Sequence, residues 1–219
     1  MKNKPIFLIA LFILFSTFIS QNKFTINKFK IKDIKIENNE ILEGQELINI
    51  FSFLFSKNII FLNSYELKKN IDQNSFIEKI EIKKIFPDKL VIKVFEKEPI
   101  AILIDKYQKK FYLGKKIDLI KYRKIQKYKN LPIVEGDQKS FKILFNNLEK
   151  INFPTEKILS YRLFKLNRWD IEMNDKKILR LPTKNYTEGL INFMSIKDKT
   201  NFNKYKVFDY RLNNQLILK

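Results

Sequence analysis

The chain has 219 residues, with 43 Lys and Arg against 24 Asp and Glu, a net charge of +19, and neither His nor Cys. Without those two residue types there is no imidazole base, no thiolate nucleophile, no disulfide framework and no Cys/His zinc site. The four glycines, at 44, 114, 136 and 189, are too scattered for a phosphate-cradling loop; few enzyme designs survive these losses, though carboxylate-only sites such as a glycosidase pair do.

The positive charge has two readings. It fits nucleic acid or an anionic membrane surface. It also fits an A/T-rich coding bias, because the lysines are scattered and accompany abundant Ile, Asn and Phe. The compositional reading is preferred, and no helix-turn-helix or zinc-knuckle spacing supports nucleic acid.

Pro5 to Ser20 is apolar and uncharged, and Lys2 and Lys4 precede it. Sixteen helical residues span roughly 24 Å, against about 30 Å of bilayer hydrocarbon. Cleavage after Ser20 would place Phe18 at −3, and cleavage after Ser16 would place Leu14 there. Neither is small enough for a signal-peptidase site, so the segment reads as an uncleaved anchor. The flanking charge favours a cytoplasmic N-terminus. Lys23, Lys28, Lys30 and Lys32 argue otherwise, but long domains translocate largely regardless of charge.

Phe29 to Ile36 reads as extended, with a bulge or bend near Asp33 where the apolar phase shifts. Asn38-Asn39 is a turn. Leu47, Ile50, Phe51 and Leu54 have helix spacing, and Ser64 can cap a second short helix carrying Leu67 and Ile71. Phe76 to Phe86 alternates with Ile80 and Ile82 inward. After a turn at Pro87-Asp88, Leu90, Ile92 and Val94 form a strongly buried strand face, read locally as the edge of a hairpin. The order β-α-α-β-β spans about 70 residues and predicts two helices on one face of a three-stranded sheet.

A second unit begins at Pro99. Residues 101–104 and 110–113 predict a hairpin, and Leu131 to Gly136 a short extended piece. Ser140 is expected to cap a helix carrying Phe141, Leu144, Phe145, Leu148 and Ile151. Strands follow from Ile158 to Leu166, around Trp169, Ile171 and Met173, and from Lys177 to Leu181. Leu190, Phe193 and Met194 suit a second helix. A last hairpin runs from Tyr205 to Leu212 and from Gln215 to Leu218, turning at Asn213-Asn214.

Phe86 to Ala101, Leu131 to Gly136, Arg168 to Ile171 and Val207 to Arg211, in this order, resemble stretches of the FtsQ/DivIB family of bacterial cell-division proteins. Phe86 to Ala101 (FPDKLVIKVFEKEPIA) is similar to the family's stretch at the end of its POTRA domain. Leu131-Pro-Ile-Val-Glu-Gly136 is similar to its Leu-Pro-x-x-x-Gly, Arg168 to Ile171 to its Trp strand, and Val207 to Arg211 to its closing Asp-Leu-Arg strand. Departures fall at Asn38-Asn39, Leu181-Pro182, Leu212 and Gln215, where the family tends to have Gly, Leu-Gly, Tyr and Gly.

The resemblance implies an α+β protein with an N-terminal transmembrane helix. A POTRA domain follows, then a β-rich domain with a mostly antiparallel sheet and flanking helices. The boundaries expected are a cytoplasmic tail at 1–4, an anchor at 5–20, the POTRA domain at 23–98 and the C-terminal domain at 99–219. It implies a non-enzymatic scaffold of the cell inner membrane at the division septum, with the bulk of the chain periplasmic. Its partners would be other division proteins, above all a small coiled-coil membrane subcomplex. Membrane lipid would meet residues 5–20, and no cofactor, metal, nucleic acid or small-molecule substrate is expected.

The candidate partner-binding residues are Val207, Asp209, Tyr210, Arg211, Leu212, Asn213, Asn214, Gln215, Leu216 and Ile217, on a terminal strand edge. Without the resemblance, Asp209 and Arg211 read as a surface ion pair. Glu96 and Glu98, close in sequence on one strand face, could form a glycosidase pair, but nothing nearby suggests a sugar cleft. Trp169 reads as core because Ile171 and Met173 share its face. The alternatives are a POTRA protein of export or outer-membrane assembly, and a secreted carboxylate hydrolase.

Overall fold

The computed structural model describes residues 9, 11–13, 26–63, 67, 71, 74–212 and 215–219. The chain divides into two compact units, residues 1–96 and 97–219. Most of the expected anchor lies outside the described residues; of it, Ile9, Leu11, Phe12 and Ile13 are helical. Among the described residues no helix is long and apolar enough to cross a membrane.

In unit 1 the strands β1 (Asp33–Glu37), β2 (Ile77–Ile85) and β3 (Lys89–Glu96) form a sheet in the order β1-β3-β2. The strand read as a hairpin edge, β3, is therefore central, parallel to β1 and antiparallel to β2. A central strand must bury one face along its whole length. Leu90, Ile92 and Val94 do so, each fully buried. Across the core lie Leu47 and Phe51 of helix α1 (Gly44–Phe51), and Leu54. The second predicted helix falls largely outside the described residues, but Leu67 and Ile71 are helical and buried.

The phase shift near Asp33 has a clear origin. The Ile31 N–H donates to the Lys57 carbonyl, whereas from Asp33 onward the chain pairs with β3. Changing partner at that point lets both Ile31 and Ile34 turn inward. Asn38 takes a left-handed conformation (φ 65°) and its side-chain amide donates to the Val94 carbonyl at 2.8 Å. Asn tolerates that region better than most residues, so it can stand where a glycine would be easier.

Unit 2 is built on a nine-stranded mixed sheet in the order β12-β11-β10-β9-β8-β7-β4-β5-β6. The strands are β4 (Pro99–Ile104), β5 (Lys110–Gly114), β6 (Leu119–Lys121), β7 (Ile133–Glu135), β8 (Ile158–Phe164), β9 (Arg168–Met173), β10 (Ile178–Arg180), β11 (Val207–Asp209) and β12 (Ile217–Leu218). Antiparallel pairings predominate, but β4–β7, β7–β8 and β10–β11 are parallel. The crossovers into β8 and β11 carry helices α2 (Gln138–Lys150) and α3 (Tyr186–Ile196).

The main core lies between these helices and one sheet face. Phe141 packs edge-on against Tyr161 at 5.0 Å and near Trp169 at 6.1 Å; Phe193 meets Phe208 at 4.9 Å. Trp169 is 3% exposed, as a core residue should be. Burying side chains of this size contributes roughly 1.5–3 kcal/mol each.

Several local expectations are corrected. The cap of α2 is Asp137, whose side chain accepts the Ser140 N–H at 2.9 Å; Ser140 is the third residue of the helix. The strand expected to reach Leu166 ends at Phe164, because Leu166 and Asn167 turn with positive φ. Strand β6 was not foreseen. It pairs Ile120 with Tyr112, whose ring also meets Tyr122 and Tyr128 on the sheet face opposite the helices.

Candidate partner-binding edge

Strand β9 alternates strictly. Trp169, Ile171 and Met173 enter the core, leaving Arg168, Asp170 and Glu172 on the opposite face. Register then aligns charges from neighbouring strands. Glu135 stands beside Arg162, Arg162 beside Asp170, Asp170 beside Arg180, and Arg180 beside Asp209. Five adjacent strands thus carry one row of alternating sign. Arg162 donates to Glu135 at 2.7 Å, while Arg180 lies 3.8 Å from both Asp170 and Asp209.

The row terminates in a fork. The Arg211 Nε donates to Asp209 Oδ1 at 2.7 Å, a second guanidinium nitrogen reaches Oδ2, and the Arg211 backbone N–H donates to Oδ1 at 3.1 Å. Asp209 is 3% exposed. The Arg211 hydrogen bonds hold its carboxyl below the usual carboxylate range, against the opposing effect of burial. Asp170 goes the other way: burial raises it, and the Arg168 and Arg180 charges only partly offset this.

Strand β12 is the outer strand of this end of the sheet. Val207 and Lys219 exchange both backbone hydrogen bonds, N–H to carbonyl in each direction. In an antiparallel ladder the next residue's backbone groups point away from the partner strand. Leu218 and Leu216 therefore direct N–H and C=O outward, and Ile217 directs its own toward β11. Ile217 pairs with Asp209.

The predicted residues fall into distinct settings. Val207 is half-buried, Arg211 and Gln215 are exposed, and Leu216 is half-buried against the core. Leu212 is 54% exposed and Ile217 38%. Asn213 and Asn214 lie outside the described residues. Tyr210 was expected as an exposed anchor, and instead it is buried. Its ring lies against Gly189 of α3, where an added Cβ would come within 3.0 Å, and its hydroxyl donates to the Asn192 Oδ1 at 3.0 Å. A small residue on α3 creates the slot.

Sequence reading missed the charge row altogether. The signal was present as one charged residue opposite the core in each strand, but the register that aligns them is not local. It also missed the loop at Pro182, Lys184 and Asn185. With Leu212 and residues of the terminal edge, this loop lines depressions of about 460 Å³ on the helix side and about 670 Å³ on the charged side.

A cavity of about 740 Å³ lies at the tip of the β4–β5 hairpin, with Tyr107, Phe111, Leu163 and Phe164 among its walls. Its acids serve local structure: Asp105 accepts from the Tyr107 and Lys109 amides, Asp137 caps α2, and Glu135 holds Arg162. The Glu96–Glu98 pair is likewise committed. Glu96 accepts the backbone N–H groups of Glu40, Ile41 and Leu42 at 2.7–2.9 Å, and Glu98 pairs with Lys115 at 2.6 Å. Among the described residues no cluster of acids could hold a metal ion.

A small helix-backed three-stranded unit is followed by a nine-stranded mixed sheet with β12 at one end. The family model for the POTRA domain, FtsQ-type, matches residues 29–97. The cell division protein FtsQ of Rickettsia bellii is 26% identical over 198 residues, covering 85% of this chain and 71% of that protein. FtsQ of Rickettsia conorii is 25% identical with the same coverage. DivIB of Clostridium tetani is 31% identical over 111 residues, 50% of this chain and 40% of that one. Residues 29–97 thus carry a POTRA domain of the FtsQ type, and over most of its length the chain is similar to FtsQ and DivIB cell-division proteins.

Proposed function

We propose that the chain is a non-enzymatic, single-pass scaffold of the division machinery. Residues 5–20 anchor it in the inner membrane, with residues 1–4 cytoplasmic and the remainder outside. Residues 23–98 are the POTRA domain, which helps to recruit the chain to the division site. Residues 99–219 bind a small coiled-coil membrane subcomplex and so link early division proteins to septal wall synthesis.

One observation carries this reading: among the described residues no strand pairs with the outer side of β12, where the backbone groups of Leu216 and Leu218 point. A partner segment gains main-chain hydrogen bonds by adding as the next strand. Exposed Leu212 and Ile217 offer apolar contact beside it, and Arg211 a positive charge. The partner strand is therefore short and acidic, with apolar residues at alternate positions.

Leu212→Asp in the full chain tests this. It lies on the exposed edge, and an acid there repels an acidic strand. Association with the coiled-coil partner, measured by co-purification and titration, is expected to weaken at least about tenfold. Unchanged affinity would place the interface elsewhere. Arg211→Glu is a poorer probe, since it sets two carboxylates together at Asp209.

A further inference from the structure

Three segments of unit 1 meet at one end. The Ile31 N–H donates to the Lys57 carbonyl at 2.9 Å, the Ser56 N–H to the Ile31 carbonyl at 3.1 Å, and the Ile59 N–H to the Phe29 carbonyl at 2.9 Å. The Lys32 N–H donates to the Asp88 carbonyl at 2.9 Å, and the Lys84 ammonium to the Ile60 carbonyl at 3.4 Å. Residues 26–32, 55–61 and the β2–β3 turn at 84–88 therefore share this end.

Their composition is unusual for a solvent-facing surface. Phe61 is 76% exposed, Phe86 58%, Ile60 47%, Ile85 41% and Phe55 37%. The three segments also carry five lysines (28, 30, 32, 57 and 84) and one acid, Asp88, which Lys32 meets at 3.4 Å. Exposed aromatics ringed by lysines suit the interface of an anionic bilayer, with rings among the headgroups and ammonium groups on phosphates.

Chain connectivity supplies the second argument. Six residue steps separate Ser20 from Ile26, a reach of at most about 20 Å. If residues 5–20 lie in the membrane, this end of unit 1 cannot stray far from its surface. The opposite end carries the Asn38 turn and the start of α1, where Glu40, Glu43 and Glu46 lie. An eight-residue helix puts about 12 Å between the two ends.

We propose that the 26–32, 55–61 and 84–88 end of unit 1 docks on the anionic lipid surface of the membrane that holds residues 5–20. This rests on the anchor reading given above. Docking would fix the POTRA unit's orientation at the membrane, with its acidic end outward. Each lysine brought to an anionic surface strengthens contact about fivefold at low salt.

The test uses the full chain in phosphatidylcholine vesicles, with or without phosphatidylglycerol. Because the chain has no Cys, Ser56→Cys and Gln45→Cys each give one dye site, at the basic end and at the first turn of α1. A spin label on the lipid headgroups reads proximity. Expected is stronger quenching at position 56 than at 45, increased by phosphatidylglycerol and reduced by salt. Adding Lys30→Glu and Lys57→Glu should lower it at least about fivefold, with circular dichroism as the folding control. Equal quenching at both sites overturns the proposal, as does indifference to lipid charge. Quenching that survives the double reversal overturns it too and points to a protein contact. Alkaline carbonate extraction separately tests the anchor: release of the chain refutes that reading, while quenching still reports on docking.

Discussion

A buried carboxylate gripped by one guanidinium ties the stability of unit 2 to pH. The folded-state pKa of Asp209 is depressed, so its contribution is present above the ordinary carboxylate range and lost as pH falls through the depressed value. Asp209→Asn should therefore cost about 2 kcal/mol near neutrality and progressively less in acid. Asp170 has the opposite sign. Its raised pKa favours folding below the ordinary range, and that contribution disappears as pH rises through the raised value. Asp170→Asn should be neutral or stabilising at pH 7, with the difference from the parent shrinking in acid. The single tryptophan, Trp169, lies in the core of unit 2 and reports its unfolding by fluorescence. The same probe reads Gly136→Ala. A Cβ there would stand 2.8 Å from the Leu163 Cβ and 3.3 Å from the Trp169 ring, and the clash should cost about 1–3 kcal/mol.

At the scale of elements, the terminal hairpin divides into an inward and an outward register. Ile217 gives its N–H to β11, while Leu216 and Leu218 present theirs outward. A proline at 217 should loosen β12 itself, seen as faster amide exchange at Val207 and Asp209. A proline at 218 or 216 should spare the β11 ladder yet remove a donor from the free edge. If the edge reading holds, those two substitutions abolish partner association while β11 exchange stays near the parent's. Association that tolerates Leu216→Pro and Leu218→Pro but not Leu212→Asp would mean side-chain docking without strand addition.

At the scale of the molecule, the two units have separate hydrophobic cores and separate sheets. They should unfold as two steps in urea. Trp169 fluorescence follows only unit 2, so its transition should depart from the one seen by far-ultraviolet circular dichroism. Coincident curves would argue for one cooperative body. Limited trypsin should cut near Lys97 or in the exposed 106–109 turn and leave the POTRA unit intact. A full-length chain in the membrane fraction of cells is the matching expectation for residues 5–20. A mature form beginning after residue 20 and released in soluble form would refute the anchor.

Local patterning determined much of this protein. Period-two alternation marked β3 and β9, with Leu90, Ile92, Val94, Trp169, Ile171 and Met173 correctly inward, and 3.6-residue spacing marked α1 and α2. These signals are legible because each depends only on neighbours along the chain. The absence of His and Cys bounded the chemistry in the same way. Tertiary structure alone decided what depends on distant partners. It made β3 central, because β1 returns parallel to it. It selected Asp137 over Ser140 as the cap, because only one side chain is placed to accept the free amide. It sank Tyr210 beside Gly189, and it aligned Glu135, Arg162, Asp170, Arg180 and Asp209 into one row. Register across a sheet is set by pairing between segments remote in sequence, and no periodicity within a strand encodes it.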